Sequence, residues 1–334
     1  MSRRRISKRA AGGGALIVLG LAILLVLAGV WSYAGPGPKA PEGDTTSVTL
    51  ERGAGVAQIG RSLRKAGVIS SSGLFALAAR ATGAAAGLKA GEYEFASGAS
   101  MAQVLADIRA GKVVRRVITI PEGWTSGMAL DAVNGAAVLT GTAAEPPEGS
   151  LLPDTYDIRR GESREAVLQR MRDAHDKLLA ELWANRQPGL PLNSPQEAVT
   201  LASIVEKETG VAAERPRVAA IFVNRLRAGM LLQSDPTIIY GLTKGRPLGR
   251  GIRASELAAD TPWNSYKVAG LPPGPIANPG RAALEAVLNP PKTTDLYFVA
   301  DGTGGHAFAS TYEQHEQNVQ RWRAIERQRA AGGR

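Results

Sequence analysis

The chain has 334 residues, no cysteine and 3 histidines; its net charge is +10, of which Arg3, Arg4, Arg5, Lys8 and Arg9 supply half. A hydrophobic fraction of 44% excludes a chain disordered throughout, and the length is a prior for about two domains. With no thiol and with His175, His306 and His315 scattered, no disulfide, thiol nucleophile, metal or other cofactor is expected, and the mildly basic remainder lacks the stripe and motif of a nucleic-acid binder.

Residues 10–34 carry no charge, and the stretch from Ala15 to Val30 is almost wholly apolar. A run of about 20 such residues suits a helix across a bilayer core. The preceding basic side chains predict a cytoplasmic tail over 1–9, a single-pass helix in the inner (plasma) membrane over 10–34 with Trp31 and Tyr33 as interfacial aromatics, and a periplasmic or extracytoplasmic body. The competing reading is a cleavable signal peptide ending at Ser32-Tyr33-Ala34; the long apolar run favours an anchor. The Pro- and Gly-rich segment 35–46 reads as a linker.

A first module spans 47–114. Ser47 to Leu50 has strand character, and Val56, Ile59 and Leu63 follow helical spacing up to Gly67. A second short helix covers 74–81, Gly91 to Phe95 alternates as a strand, and Ser100 caps a helix carrying Met101, Val104, Leu105 and Ile108. This strand–helix–helix–strand unit resembles the LysM family of glycan-binding modules, through Arg52-Gly53, Leu88-Lys-Ala-Gly-Glu-Tyr-Glu-Phe95 and Gly98-Ala-Ser100. The alternative is a small α+β spacer.

A second module spans 115–326. Helices are expected over 126–134, 164–185, 194–209, 215–228, 279–288 and 312–326, with strands over 118–120 and 296–300. Asp301-Gly-Thr-Gly-Gly305 reads as a turn into a further strand, with His306 structural, and 327–334 as a frayed polar tail. The fold class is therefore α+β: an N-terminal transmembrane helix, a small LysM-like α+β domain, and a larger, mainly helical α+β catalytic domain.

The informative helix begins at Ser194, an N-cap followed by Pro195 and by Glu197 at the capping-box position. At about 100° per residue, Leu201, Ile204, Val205 and Ala212 share a stripe that includes Glu208. Glu206 falls opposite, near Ala202 and Ser203, so it and Lys207 read as a solvated face, and the two glutamates cannot serve one site. A carboxyl on an apolar face has a raised pKa unless a cation pairs with it, and a protonated carboxyl near neutral pH is what a glycosidic general acid requires. The competing reading is an internal salt bridge to Arg225 or Arg217.

Gln233-Ser-Asp-Pro-Thr-Ile-Ile-Tyr240 offers amide, hydroxyl and aromatic groups for a sugar, or else caps a helix. The loop through Trp263-Asn-Ser-Tyr266 and Gly270-Leu-Pro-Pro-Gly274 is stiff, and is either functional or a rigid connection. No nucleophile elbow is present, which argues against serine hydrolase chemistry.

Taken together, several ordered segments resemble the YceG-like family of endolytic murein transglycosylases. They are Pro121-Glu-Gly-Trp124, Glu148-Gly-Ser-Leu-Leu-Pro-Asp-Thr-Tyr156, Ala202-Ser-Ile-Val-Glu-Lys-Glu-Thr209, Phe222-Val-Asn-Arg-Leu226, Gly229 to Thr237 with Tyr240-Gly241, Gly270 to Gly274, and Tyr297-Phe-Val-Ala-Asp-Gly302. The resemblance implies an enzyme that cuts nascent peptidoglycan strands internally at the MurNAc–GlcNAc β-1,4 bond, forms 1,6-anhydroMurNAc ends and limits glycan elongation. It implies peptidoglycan glycan strands as substrate and peptidoglycan synthases as partners. By the family's helical Glu-Thr pattern the catalytic residue is Glu208, followed by Thr209. Asn224, Gln233, Asp235, Thr237, Tyr240 and Asn264 are assigned to sugar binding or to positioning the acid. A hydrolytic muramidase using Asp235 as second carboxylate, and a non-catalytic wall-binding scaffold, are the alternatives.

Overall fold

A computed structural model describes residues 8–332, and side chains from 18 to 331. The expected cytoplasmic tail lies outside the described residues up to position 7. The chain divides into two compact units between Arg116 and Val117.

The first unit contains α1 (Lys8–Ala34), β1 (Thr45–Leu50), α2 (Val56–Lys65), α3 (Ser72–Ala81), a 3-10 turn (Ala84–Gly87), β2 (Gly91–Ala96) and α4 (Met101–Ala110). The element order follows from local signals. Ser71 and Ser100 cap α3 and α4 through their hydroxyls, and Gly111, at φ +74°, ends α4 in the left-handed region that favours glycine. β1 and β2 pair antiparallel with Val48 opposite Tyr93, and their alternation sends Val48, Leu50, Tyr93 and Phe95 into a core shared with Ile59, Leu63, Phe75 and Ile108.

The C-terminal end of α1 packs on α3 and α4, with Tyr33 against this core. Val18, Leu19, Leu21, Leu24 and Leu25 are exposed on α1. Among the described residues, no helix is long and apolar enough to cross a membrane. The segment read as a linker is laid along the 97–99 turn. Gly37 donates its N–H to Gly98 O at 3.0 Å, Gly98 donates to Pro38 O at 3.0 Å, and Ala40 donates to Ser97 Oγ at 3.0 Å. A β-carbon on Gly37 would stand 2.1 Å from Ala99 O, so glycine is needed for this approach.

The second unit contains β3 (Arg116–Thr119, entering from the first), α5 (Ser126–Gly135), β4 (Thr155–Ile158), α6 (Arg164–Ala184), α7 (Pro195–Glu208), α8 (Arg215–Arg227), α9 (Asp235–Thr243), α10 (Ala254–Leu257), α11 (Arg281–Leu288), β5 (Tyr297–Ala300), β6 (His306–Ala309) and α12 (Tyr312–Gly332). The mix is α+β, as expected. β3 pairs with β4, and β5 with β6 as the antiparallel hairpin foreseen around residues 301–305. The polar end of the chain departs from expectation, since α12 stays helical to Gly332.

One core gathers β3, α5, β4 and the start of α6 around Ile120, Val133, Leu151 and Met171. The other is built by α7, α8 and α11 around Leu201, Ile204, Phe222 and Leu284. α7 is covered on most of its circumference, with Ala198, Leu201, Ala202, Ser203, Ile204 and Val205 all buried. Its sequence is apolar enough for this, and the buried polar residues are bonded: Thr200 donates to Gln196 O at 2.9 Å, and Ser203 donates to Thr200 O at 2.7 Å and accepts Ile276 N–H at 3.0 Å.

Several segments that carry the family resemblance serve packing. Asn278, fully buried, donates to Trp124 O at 3.0 Å and accepts Leu151 N–H at 2.9 Å, tying the 121–124 and 148–151 segments together. Asn278→Ala leaves these buried groups unpaired and is expected to lower unfolding free energy by about 2–4 kcal/mol, read from urea denaturation. A loss below about 0.5 kcal/mol would remove this tie from the account of the fold.

Candidate active site

α7 starts as its sequence dictates: Ser194 Oγ accepts Glu197 N–H at 3.2 Å, and the Glu197 carboxylate reaches back to Asn193 N–H at 2.6 Å. It ends at Glu208, because Thr209 is extended and its hydroxyl accepts Val211 N–H at 3.0 Å. Ala212 therefore lies beyond the helix, and Glu208 projects from its last turn.

The salt bridges weighed for Glu208 do not form. Arg217 Nε donates to Asp295 Oδ2 at 2.6 Å. Arg225, 7% exposed, spends its guanidinium on the carbonyls of Leu296 (2.7 Å), Leu231 (3.2 Å) and Leu232 (2.8 Å), and on Gln233 Oε1 at 3.4 Å. Burial pushes Glu208 up from 4.5 to about 7. The Asp235 carboxylate adds to the rise, while the Ser234 hydroxyl and the more distant His306 and Arg225 oppose it without reversing it.

Ser234 is fully buried and donates its backbone N–H to Ser265 Oγ at 2.9 Å. Its own hydroxyl lacks a hydrogen bond of good geometry, yet lies close enough to the Glu208 carboxyl to favour the ionised form. The preceding Gln233 holds φ +54°, uncommon for a residue with a side chain, and is pinned by its N–H to Ser265 O at 3.0 Å. Asp235, at the start of α9, accepts the Tyr266 hydroxyl at 2.7 Å. On another side, Glu214 accepts His306 N–H at 2.9 Å and lies 2.7 Å from its ring Nδ1.

Of the residues assigned from sequence, Asp235 stands beside Glu208, and Gln233 is joined to the site through Arg225. The other four make side-chain hydrogen bonds within the protein. Asn224 donates to Thr293 O and Asp295 O at 2.8 and 3.1 Å. Thr237 bonds Ser234 O and Ser265 Oγ at 2.7 and 2.8 Å. Asn264 gathers the carbonyls of Leu257 and Ala259 at 2.9 and 2.7 Å. Tyr240 pairs with the Glu148 carboxyl and packs on Trp263 at 5.7 Å between ring centres.

Glu206 corrects the expectation of a solvated face. Its side chain is 5% exposed, accepts Arg215 at 3.2 Å and the Gly280 N–H at 2.9 Å, and is pushed up by burial. The helical wheel separates it from Glu208, but both faces are covered. Ser234, Tyr266, Glu214 and His306 were not singled out as site residues in the sequence, since their roles depend on contacts distant along the chain. No group of three or more metal-ligating side chains gathers among the described residues.

Asp235→Asn removes a negative neighbour and so favours the ionised form of Glu208. The midpoint of Glu208, followed by carboxyl NMR, is expected to fall from about 7 by roughly one pH unit. An unmoved midpoint would show that Asp235 does not act on it.

A sequence profile described as the YceG-like family matches residues 48–321. The chain is 31% identical over 323 residues to the endolytic murein transglycosylase of Streptococcus pneumoniae serotype 2, covering 82% of this chain and 57% of that protein. It is 33% identical over 182 residues to the Bacillus subtilis protein of the same name, covering 53% of this chain and 48% of that one. The chain thus spans about half the length of these curated relatives. A crystal structure of a YceG-like protein from Listeria monocytogenes is similar at a TM-score of 0.52 and 28% identity, over 82% of this chain and 98% of that one. The fold around Glu208, the profile match over most of the sequence and the identity to these relatives agree, and the chain belongs to the YceG-like family.

Proposed function

We propose that the chain is an endolytic murein transglycosylase that cuts the β-1,4 MurNAc–GlcNAc bond inside nascent peptidoglycan strands and so limits glycan elongation. The observation that carries this reading is the Glu208 carboxyl at the end of α7, which burial pushes up to about 7 while its candidate arginines bond other partners. The name of the curated relatives supports it.

Glu208 gives its proton to the glycosidic oxygen as the bond to the muramyl anomeric carbon breaks through an oxocarbenium-like transition state. The GlcNAc portion leaves with the new hydroxyl. The Glu208 carboxylate then takes a proton from the muramyl C6 hydroxyl as that oxygen attacks the anomeric carbon, closing the 1,6-anhydro ring. The proton given is replaced by the proton taken, and no water is consumed. The negative charge of Asp235 keeps the acid protonated beforehand and favours the positive charge that builds on the sugar. The C6 hydroxyl belongs to the same sugar, so its attack gains from proximity.

Residues 10–34 anchor the body to the outer face of the inner membrane in this reading. The uncharged apolar run behind basic residues 3–9, with Val18, Leu19, Leu21, Leu24 and Leu25 exposed, supports this. The first unit is proposed to hold glycan as LysM-like modules do, and peptidoglycan synthases are the proposed protein partners. The test is digestion of uncrosslinked glycan strands by the full chain, with products read by mass spectrometry. Anhydromuramyl ends are expected. Reducing muramyl ends would replace the reading with a hydrolase, and binding without cleavage would replace it with a scaffold.

A further inference from the structure

Ser234 stands in the capping position of α9, immediately before Asp235, yet its side chain does not cap the helix. A serine there ordinarily turns its hydroxyl onto a backbone N–H of the first helical turn, as Ser71, Ser100 and Ser194 do for their own helices. The Ser234 hydroxyl is instead buried, with no hydrogen bond of good geometry among the described residues. An unpaired buried hydroxyl is costly, so such a group calls for an explanation. The main chain that carries it is firmly held. Ser265 Oγ accepts the Ser234 N–H at 2.9 Å, and Thr237 Oγ1 donates to Ser234 O at 2.7 Å. Next to it, Gln233 keeps φ +54° with its N–H on Ser265 O at 3.0 Å, and Arg225 holds Leu232 O at 2.8 Å. A strained backbone over-determined in this way fixes where a side chain points. The hydroxyl is aimed away from its own helix, and the Glu208 carboxyl lies close to it. Ser234 is fully buried whereas Glu208 keeps part of its surface, so the hydroxyl meets the acid from the protein side and leaves the outer side to substrate.

One carboxyl that gives a proton and then takes one must be stable in two charge states. The negative charge of Asp235, on α9, favours the protonated state. The ionised state needs a donor, and a hydrogen bond to a carboxylate is among the strong ones. The other groups that bear on Glu208 are bonded elsewhere. Arg225 on α8 holds backbone carbonyls, His306 on β6 faces Glu214, and the Tyr266 hydroxyl is given to Asp235. We propose that Ser234 is a positioning residue for Glu208: its hydroxyl donates a hydrogen bond to the carboxylate left after the glycosidic oxygen is protonated, and so holds it for the muramyl C6 hydroxyl. Ser234 keeps its own proton throughout, and the proton balance of the turnover is unchanged. The proposal rests on the reading of Glu208 as the acid.

The test uses the full chain in detergent, with Ser234→Ala and Ser234→Cys to remove the strong donor and Ser234→Thr to retain it. Carboxyl NMR follows Glu208, whose signal is identified by its loss in Glu208→Gln, and kcat and KM are measured on uncrosslinked glycan strands across pH. In the alanine and cysteine variants the Glu208 midpoint is expected to rise from about 7 by about half a pH unit or more, because a group that favours the ionised form is gone. The alkaline fall in activity should move up with it. At about pH 5.5 kcat is expected to fall about tenfold, with KM within about threefold of the parent. Ser234→Thr should restore both midpoint and kcat. Melting curves accompany each variant, and if one of the two donor-free variants does not fold, the other decides. A Glu208 midpoint unmoved in a folded donor-free variant would overturn the proposal, and so would a raised midpoint with unchanged kcat. Cleavage by the unmodified chain is scored separately: cleavage with an unmoved midpoint sinks the role of Ser234 alone, whereas a raised midpoint in a chain that cuts no strand sinks the catalytic reading and leaves the bond between Ser234 and Glu208 standing.

Discussion

Glu208→Gln is expected to lower kcat/KM on uncrosslinked glycan strands by about 10²- to 10⁴-fold at about pH 5.5, with strand affinity within about threefold of the parent. Glutamine matches the size of the acid and can still hydrogen-bond, but it has no proton to give to the glycosidic oxygen. The loss therefore falls on kcat and not on binding. In the proposed mechanism Glu208 acts in its protonated form, and burial pushes its carboxyl up to about 7. Unmodified activity should hold below that value and fall about tenfold per pH unit above it. A variant that keeps more than about a tenth of the parent activity would move the general acid to another residue.

The same substitution should stabilise the protein at alkaline pH. The unfolded chain ionises Glu208 near its ordinary 4.5, whereas the folded chain retains the proton up to about 7. Between these values the folded state binds more protons, so stability falls as pH rises through this window. The cost is absent below about pH 4.5 and complete above about 7. Glu208→Gln is expected to exceed the parent by about 3 kcal/mol at pH 8 and to come within about 1 kcal/mol of it at pH 4, read from urea unfolding. Burial also pushes Glu148 and Glu206 up, but both carboxyls are present in each protein and cancel in the difference. Equal stabilities at pH 8 would mean that Glu208 ionises freely in the fold.

Signals acting within one or two helical turns were legible in the sequence. Ser194, Pro195 and Glu197 mark the start of α7, and Ser100 marks the start of α4, because capping joins a side chain to a backbone group a few residues away. The face on which Glu208 stands follows from helical periodicity alone. The same wheel placed Glu206 in water, because Arg215 and the Gly280 N–H that receive it come from another helix and a distant loop.

Site chemistry was less legible. Asn224, Thr237, Tyr240 and Asn264 have the donors and acceptors a sugar needs, but those groups bond loop carbonyls, Ser265 and Glu148. Side-chain type shows what a residue can bind; only the folded chain shows which of those bonds are already taken.

By itself the sequence showed the family and most of the helices and set Glu208 on an apolar helical face, since each depends on local spacing or on a run of motifs. Tertiary structure decided that Arg217 and Arg225 leave Glu208 without a direct ion pair, and that Asp235 and Ser234 bear on its charge. The reason is one of range. Helix caps and periodicity act over a few residues of chain, whereas a pKa and a binding surface depend on the charges, water and free side chains within a few ångströms, which segments far apart in sequence bring together.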